Sequence, residues 1–130
     1  MPLVGPLKLK AQMFCGVETA MGPGKADLLE AIDREGSISG AGRAMGMSYR
    51  RAWLLVDTMN RCWAETLVAT TPGGGAGKGA QLTPCGRAVL EAYRALEAEL
   101  VTAARSPALA KLEGLIAPQP RAASAEQPET

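Results

Sequence analysis

The chain has 130 residues, 47% of them apolar, with a formal net charge of +1. That suits one domain plus extensions with a modest core, and the charge alone argues neither for nor against a nucleic-acid partner. There is no histidine, and the three cysteines, Cys15, Cys62 and Cys85, are scattered without a C-x-x-C pair. This excludes His-containing zinc sites and Ser-His-Asp or Cys-His catalysis.

The odd, dispersed thiols read as reduced cytosolic cysteines rather than a disulfide framework. No apolar run is long enough to cross a bilayer, and no basic segment precedes a long apolar core at the N-terminus. The expectation is a cytoplasmic protein with no membrane partner. With no nucleophile constellation and no metal spacing, no enzyme activity, metal or cofactor is expected.

In chain order, residues 1–6 carry Pro2, Gly5 and Pro6 and read as a flexible N-terminus. Residues 7–14 alternate apolar and polar at first, which predicts an edge strand guarded by Lys8 and Lys10. Residues 18–24 contain Gly22, Pro23 and Gly24 and read as a loop. Residues 25–34 form a first helix with Leu28, Leu29 and Ile32 as its buried stripe.

Residues 36–60, G-S-I-S-G-A-G-R-A-M-G-M-S-Y-R-R-A-W-L-L-V-D-T-M-N, organise the rest. Ser37 or Ser39 caps a short helix carrying Ile38, Ala41, Ala44 and Met45. The small residues at 40, 41, 42 and 44 let another helix approach closely. Gly46 suits a left-handed helix end, and Ser48 caps a second helix with Ala52, Val56 and Met59 on one face. A short helix, a glycine turn and a second helix with a basic start is the helix-turn-helix pattern. Its first turns would offer arginines to base edges and phosphates in the major groove.

From Arg34 to Arg61, five arginines face only Glu35 and Asp57. Arg50 and Arg51 are the leading candidates for base or phosphate contact. Ser48 and Tyr49 sit where the helix N-terminus would grip a phosphate. Arg43, Lys78 and Gln81 are candidates for backbone contact. Trp53, one turn beyond Tyr49, is read as a packing residue. A plain helical hairpin with solvated arginines is the competing reading.

Leu67 and Val68 begin a strand whose partner is 80–82, joined by T-T-P-G-G-G-A-G-K-G-A-Q. This is not a nucleotide loop: G-x-x-x-x-G-K-[ST] would need glycine where Pro72 stands and a hydroxyl where Gly79 stands. It reads as a glycine-rich wing able to lie close to a phosphate backbone, against the alternative of a surface hairpin with no ligand.

Thr83 caps and Pro84 opens a long helix over 83–104. Its apolar stripe, Val89, Tyr93, Leu96 and Leu100 among them, is longer than a small domain can cover, so it is the candidate dimer interface. The alternative is packing entirely on its own domain. Ser106-Pro107 breaks it, a short helix follows over 108–116, and residues 117–130 read as a disordered tail rich in Pro, Ala and Glu.

The segment from Ser37 to Asn60 resembles the N-terminal winged helix-turn-helix domain of the ModE family, bacterial molybdate-responsive regulators, and more distantly LysR-type regulators. The S-Y-x-x-A-W-x-x-V-x-x-M-N run followed by the glycine-rich stretch and Leu82-Thr83 carries the likeness, which extends over residues 7–104. The resemblance implies a mainly α fold with a small β wing, a long C-terminal dimerisation helix, and an N-terminal strand paired with the wing hairpin. The wing here is less charged than in the family, with Ala69 and Thr70 where acidic and basic residues are usual. The family's molybdate-binding modules have no counterpart among these residues, so no molybdate site is expected.

The expected domain runs over 7–116, and the expected function is a dimeric, sequence-specific transcriptional regulator binding double-stranded DNA. The alternative is a winged-helix protein-interaction module without DNA readout.

Overall fold

The computed structural model describes residues 1–72 and 79–124. Two short hairpins come first: β1 (Leu3–Val4) with β2 (Leu7–Lys8), and β3 (Met13–Cys15) with β4 (Glu18–Met21), both antiparallel. Each turns on a glycine at positive φ, Gly5 at 56° and Gly16 at 60°. A glycine leading a two-residue connection is the tight-hairpin arrangement that matches strand twist.

These hairpins correct four expectations. The continuous strand over 7–14 is divided between two sheets, and in the stretch between them Ala11 O accepts from the Tyr93 hydroxyl at 2.7 Å. It pairs with β1 and β4 rather than with the wing. The loop expected over 18–24 is β4 followed by a helix start, and the loose N-terminus holds a strand whose Val4 is buried.

Three helices follow: α1 (Pro23–Glu35), α2 (Ile38–Ala44) and α3 (Tyr49–Cys62). Ser37 Oγ accepts from the Gly40 N–H at 2.9 Å, and Ser48 Oγ accepts from the Arg51 N–H at 3.1 Å, so both caps satisfy otherwise orphaned donors. Gly36 (φ 75°) and Gly46 (φ 69°) make the two corners in left-handed backbone that a side chain would strain. At Gly42 an added Cβ would lie 3.3 Å from both Ala52 Cβ and the Met47 carbonyl oxygen, so the missing side chain sets how closely α2 and α3 pack.

The core joins Met21, Leu28, Leu29, Ile32, Ile38, Val56 and Met59 to Leu67, Leu82, Leu90 and Tyr93. β5 (Val68–Thr71) and β6 (Gly79–Leu82) pair antiparallel, with Val68 opposite Leu82 and Ala69 opposite Gln81. Two side chains and one carbonyl tie this hairpin to the helices. Asn60 Oδ1 accepts from the Leu67 and Val68 amides, and its Nδ2 donates to the Val68 carbonyl. Gly36 O accepts from the Ala80 N–H at 2.9 Å, and Thr83 Oγ donates to Thr66 O.

Thr83 also accepts from the Gly86 N–H, opening α4 (Pro84–Ala104) as the sequence predicts. α5 (Pro107–Leu115) ends the regular structure, and residues 117–124 form neither helix nor strand. No helix among the described residues is long and apolar enough to cross a membrane.

Candidate nucleic-acid interface

α3 buries Ala52, Val56 and Met59 and turns its remaining faces outward. Helical spacing puts Arg50, Leu54, Asp57 and Arg61 on one outer ridge, with Tyr49 and Trp53 along one flank and Arg51 along the other. Arg50 and Arg51 are exposed at the first turn, and Arg43 is exposed at the end of α2.

Four of the arginines are engaged by carboxylates. Arg34 pairs with Glu35, Arg61 with Asp57, Arg87 with Asp33, and Arg94 with Asp27, Glu30 and Glu97. Arg87 holds the Asp33 carboxyl below its ordinary range through their hydrogen bond. Arg94 is held more firmly protonated than an ordinary arginine, chiefly by Glu30. Arg43, Arg50 and Arg51, in contrast, make no ion pair among the described residues, nor do Arg105 and Arg121 beyond the motif. Three exposed cations without acidic partners on the two helices of one motif leave a local positive field for an anion to fill.

The other predicted contacts are distributed as follows. Ser48 is exposed but its Oγ is engaged as the α3 cap. Gln81 is exposed on β6. Lys78 lies outside the described residues. Trp53 corrects its expected packing role: it is 45% exposed beside Tyr49, because Ala52, Val56 and Met59 already fill the inner face of α3. Together these two rings wall an open groove of about 570 Å³ between α3, the start of α2 and the root of the β5–β6 hairpin.

Sequence reasoning missed Asn60, which pins α3 to the hairpin. Its signal was a polar residue one position after the buried Met59, at the helix end facing the strand.

The predicted dimerisation stripe on α4 is split. Leu90, Tyr93 and Glu97 turn inward, and Tyr93, though buried, also lines the trough described next. Burial raises the affinity of its phenol for the proton, with Glu97 adding to the effect. Val89 and Leu96, only half-buried, line an apolar trough of about 330 Å³ with Met13, Trp63, Ala88 and Ala92, and Leu100 is exposed beyond it. Cys15 and Cys62, distant in sequence, meet beside this region; burial pushes the Cys62 thiol up, with Cys15 as the next contributor. Among the described residues no cluster of His, Cys, Asp or Glu could hold a metal ion.

No family model matches the chain. It is 47% identical over 87 residues to the molybdenum transport protein ModE of Azotobacter vinelandii, spanning 67% of this chain and 32% of that protein. Over 78 residues it is 50% identical to the molybdenum-pterin-binding protein MopB of Rhodobacter capsulatus, covering 60% of this chain and 29% of the relative. It is 34% identical over 87 residues to the DNA-binding transcriptional dual regulator ModE of Escherichia coli K12, across 67% of this chain and 31% of that regulator. The chain thus spans about a third of the length of these curated relatives. The CbnR DNA-binding domain, solved in complex with DNA, superposes with a TM-score of 0.50 at 23% identity over 66% of this chain and 94% of that one. The resemblance to the ModE N-terminal domain and the winged helix-turn-helix fold both stand.

Proposed function

We propose that this chain is a homodimeric, sequence-specific DNA-binding transcriptional regulator, with α3 in the major groove and the β5–β6 hairpin along the backbone. The observation that carries the reading is the placement of three arginines: the two at the start of α3 and the one closing α2 are exposed together on one motif, with no ion pair among the described residues. A helix entering the major groove must present such donors in its first turns. The regulators among its relatives and the DNA-bound CbnR domain of like fold agree with this.

The dimer rests on the apolar trough along α4, which Val89 and Leu96 share with Met13 and Trp63. Two of the relatives described above are named for molybdenum, but this chain spans only about a third of their length, and no molybdate site is assigned to it. DNA affinity is therefore expected to be unchanged by sodium molybdate at constant ionic strength, and a molybdate-dependent shift would overturn that part of the reading.

Selection of bound sites from genomic DNA, followed by mobility shifts at low and moderate salt, tests the function. An inverted repeat and a steep loss of affinity with salt are expected. Arg50→Ala and Arg51→Ala should each remove about 1–3 kcal/mol of binding and leave the fold intact. Failure to select any sequence would favour the protein-interaction module, which the net charge of only +1 suits.

A further inference from the structure

The two tryptophans of this chain have opposite situations. Trp63 donates its indole N–H to the Ala20 carbonyl at 3.0 Å and packs against the core. Trp53 makes no hydrogen bond among the described residues and stands 45% exposed, with Tyr49, 53% exposed, one helical turn before it. The fold makes no use of either ring's outer surface.

We propose that Trp53, supported by Tyr49, is a specificity residue that reads thymine through its 5-methyl group. This rests on the DNA-binding reading of α3. Helical spacing sets Trp53 on the flank of α3 that faces the wing, one turn deeper than the unpaired Arg50. The far wall of the groove it borders carries the hydroxyls of Ser39, Thr70 and Thr71, groups that donate to phosphate oxygens. A DNA strand whose backbone runs past these hydroxyls turns its base edges toward the indole. In the major groove the apolar group that distinguishes one base pair from the others is the thymine methyl. An apolar ring there supplies discrimination that arginines directed at acceptors cannot.

The test replaces each thymine of a selected site, one at a time, by deoxyuridine, which removes the methyl and leaves every hydrogen bond in place. Affinities of the full chain and of its Trp53→Ala and Trp53→Phe variants are compared, with circular dichroism confirming the fold. Wild type should lose about three- to fivefold at one position per half-site, the scale of one buried methyl. Trp53→Ala should bind thymine and uracil there alike, with an unchanged salt slope because no charge is lost. Trp53→Phe should retain part of the preference.

A wild-type scan with no sensitive thymine overturns the proposal, as does a sensitivity that persists in Trp53→Ala. Steep salt dependence with a flat scan would sink only this inference. A chain that binds no DNA would remove the functional reading and this with it.

Discussion

Asn60 and Val68 exchange two hydrogen bonds: the Val68 amide donates to Asn60 Oδ1 at 3.0 Å, and Asn60 Nδ2 returns one to the Val68 carbonyl at 3.2 Å. The side-chain amide thereby stands in for a neighbouring strand, and it takes a third bond from the Leu67 amide at 2.8 Å. One residue of α3 holds the start of β5, so α3 and the β5–β6 hairpin share a frame.

Asn60→Ala should cost about 2–3 kcal/mol of stability, because the two strand amides and a carbonyl lose their partner where water reaches them poorly. Asn60→Asp keeps the two acceptor bonds but sets a carboxylate oxygen against the Val68 carbonyl, so it too should destabilise. Urea unfolding measures both. A change below about 0.5 kcal/mol for Asn60→Ala would show that the clamp is dispensable.

Gly86→Ala should be among the most damaging single-methyl changes in the protein. An added Cβ would land on the Leu67 carbonyl oxygen, which is backbone and cannot swing aside. Overpacking of this kind costs about 1–3 kcal/mol or more. Thermal melting of Gly86→Ala beside Gly24→Ala, whose Cβ meets open space, separates the collision from the ordinary effect of losing a glycine.

Arg94 joins α4 to α1 through Asp27 at 2.7 Å and Glu30 at 2.6 Å, while it also bonds Glu97 at 2.8 Å. Glu97 is buried and its Oε2 has no partner. Arg94→Met should therefore destabilise by about 3 kcal/mol, since it strands a buried carboxylate. The double variant Arg94→Met, Glu97→Met should recover most of that. A double variant as unstable as the single would mean that Glu97's burial is not the source of the cost.

Leu96→Glu should yield a folded monomer, because the carboxylate would enter the apolar trough at the half-buried Leu96 while the buried Leu90 on the inner face stays untouched. Sedimentation reads the outcome. A wild-type chain that is already monomeric at micromolar concentration would remove the interface assigned to this face.

The helix-turn-helix was legible because its signals are local. Ser37 and Ser48 cap, Gly46 turns, and Gly42 permits close packing, all within a few residues of what they control. The N-terminal hairpins were less legible because their strands are two to four residues long, too short for alternation to register. The Gly16-Val17 turn was the available signal, with Val17 fully outward. Tyr93 and Trp53 show one limit: helical spacing groups residues on a face but does not say which side of that face the domain covers. Tyr93 turns inward to reach Ala11, far away in sequence, and Trp53 is left outside by smaller neighbours that fill the core first.

Gly36 gives its carbonyl to Ala80, so β6 takes its position from the corner between α1 and α2 and not from the connection that precedes it. That corner thereby acts as a gauge: whatever tilts α1 against α2 is handed through one main-chain bond to the strand beside them.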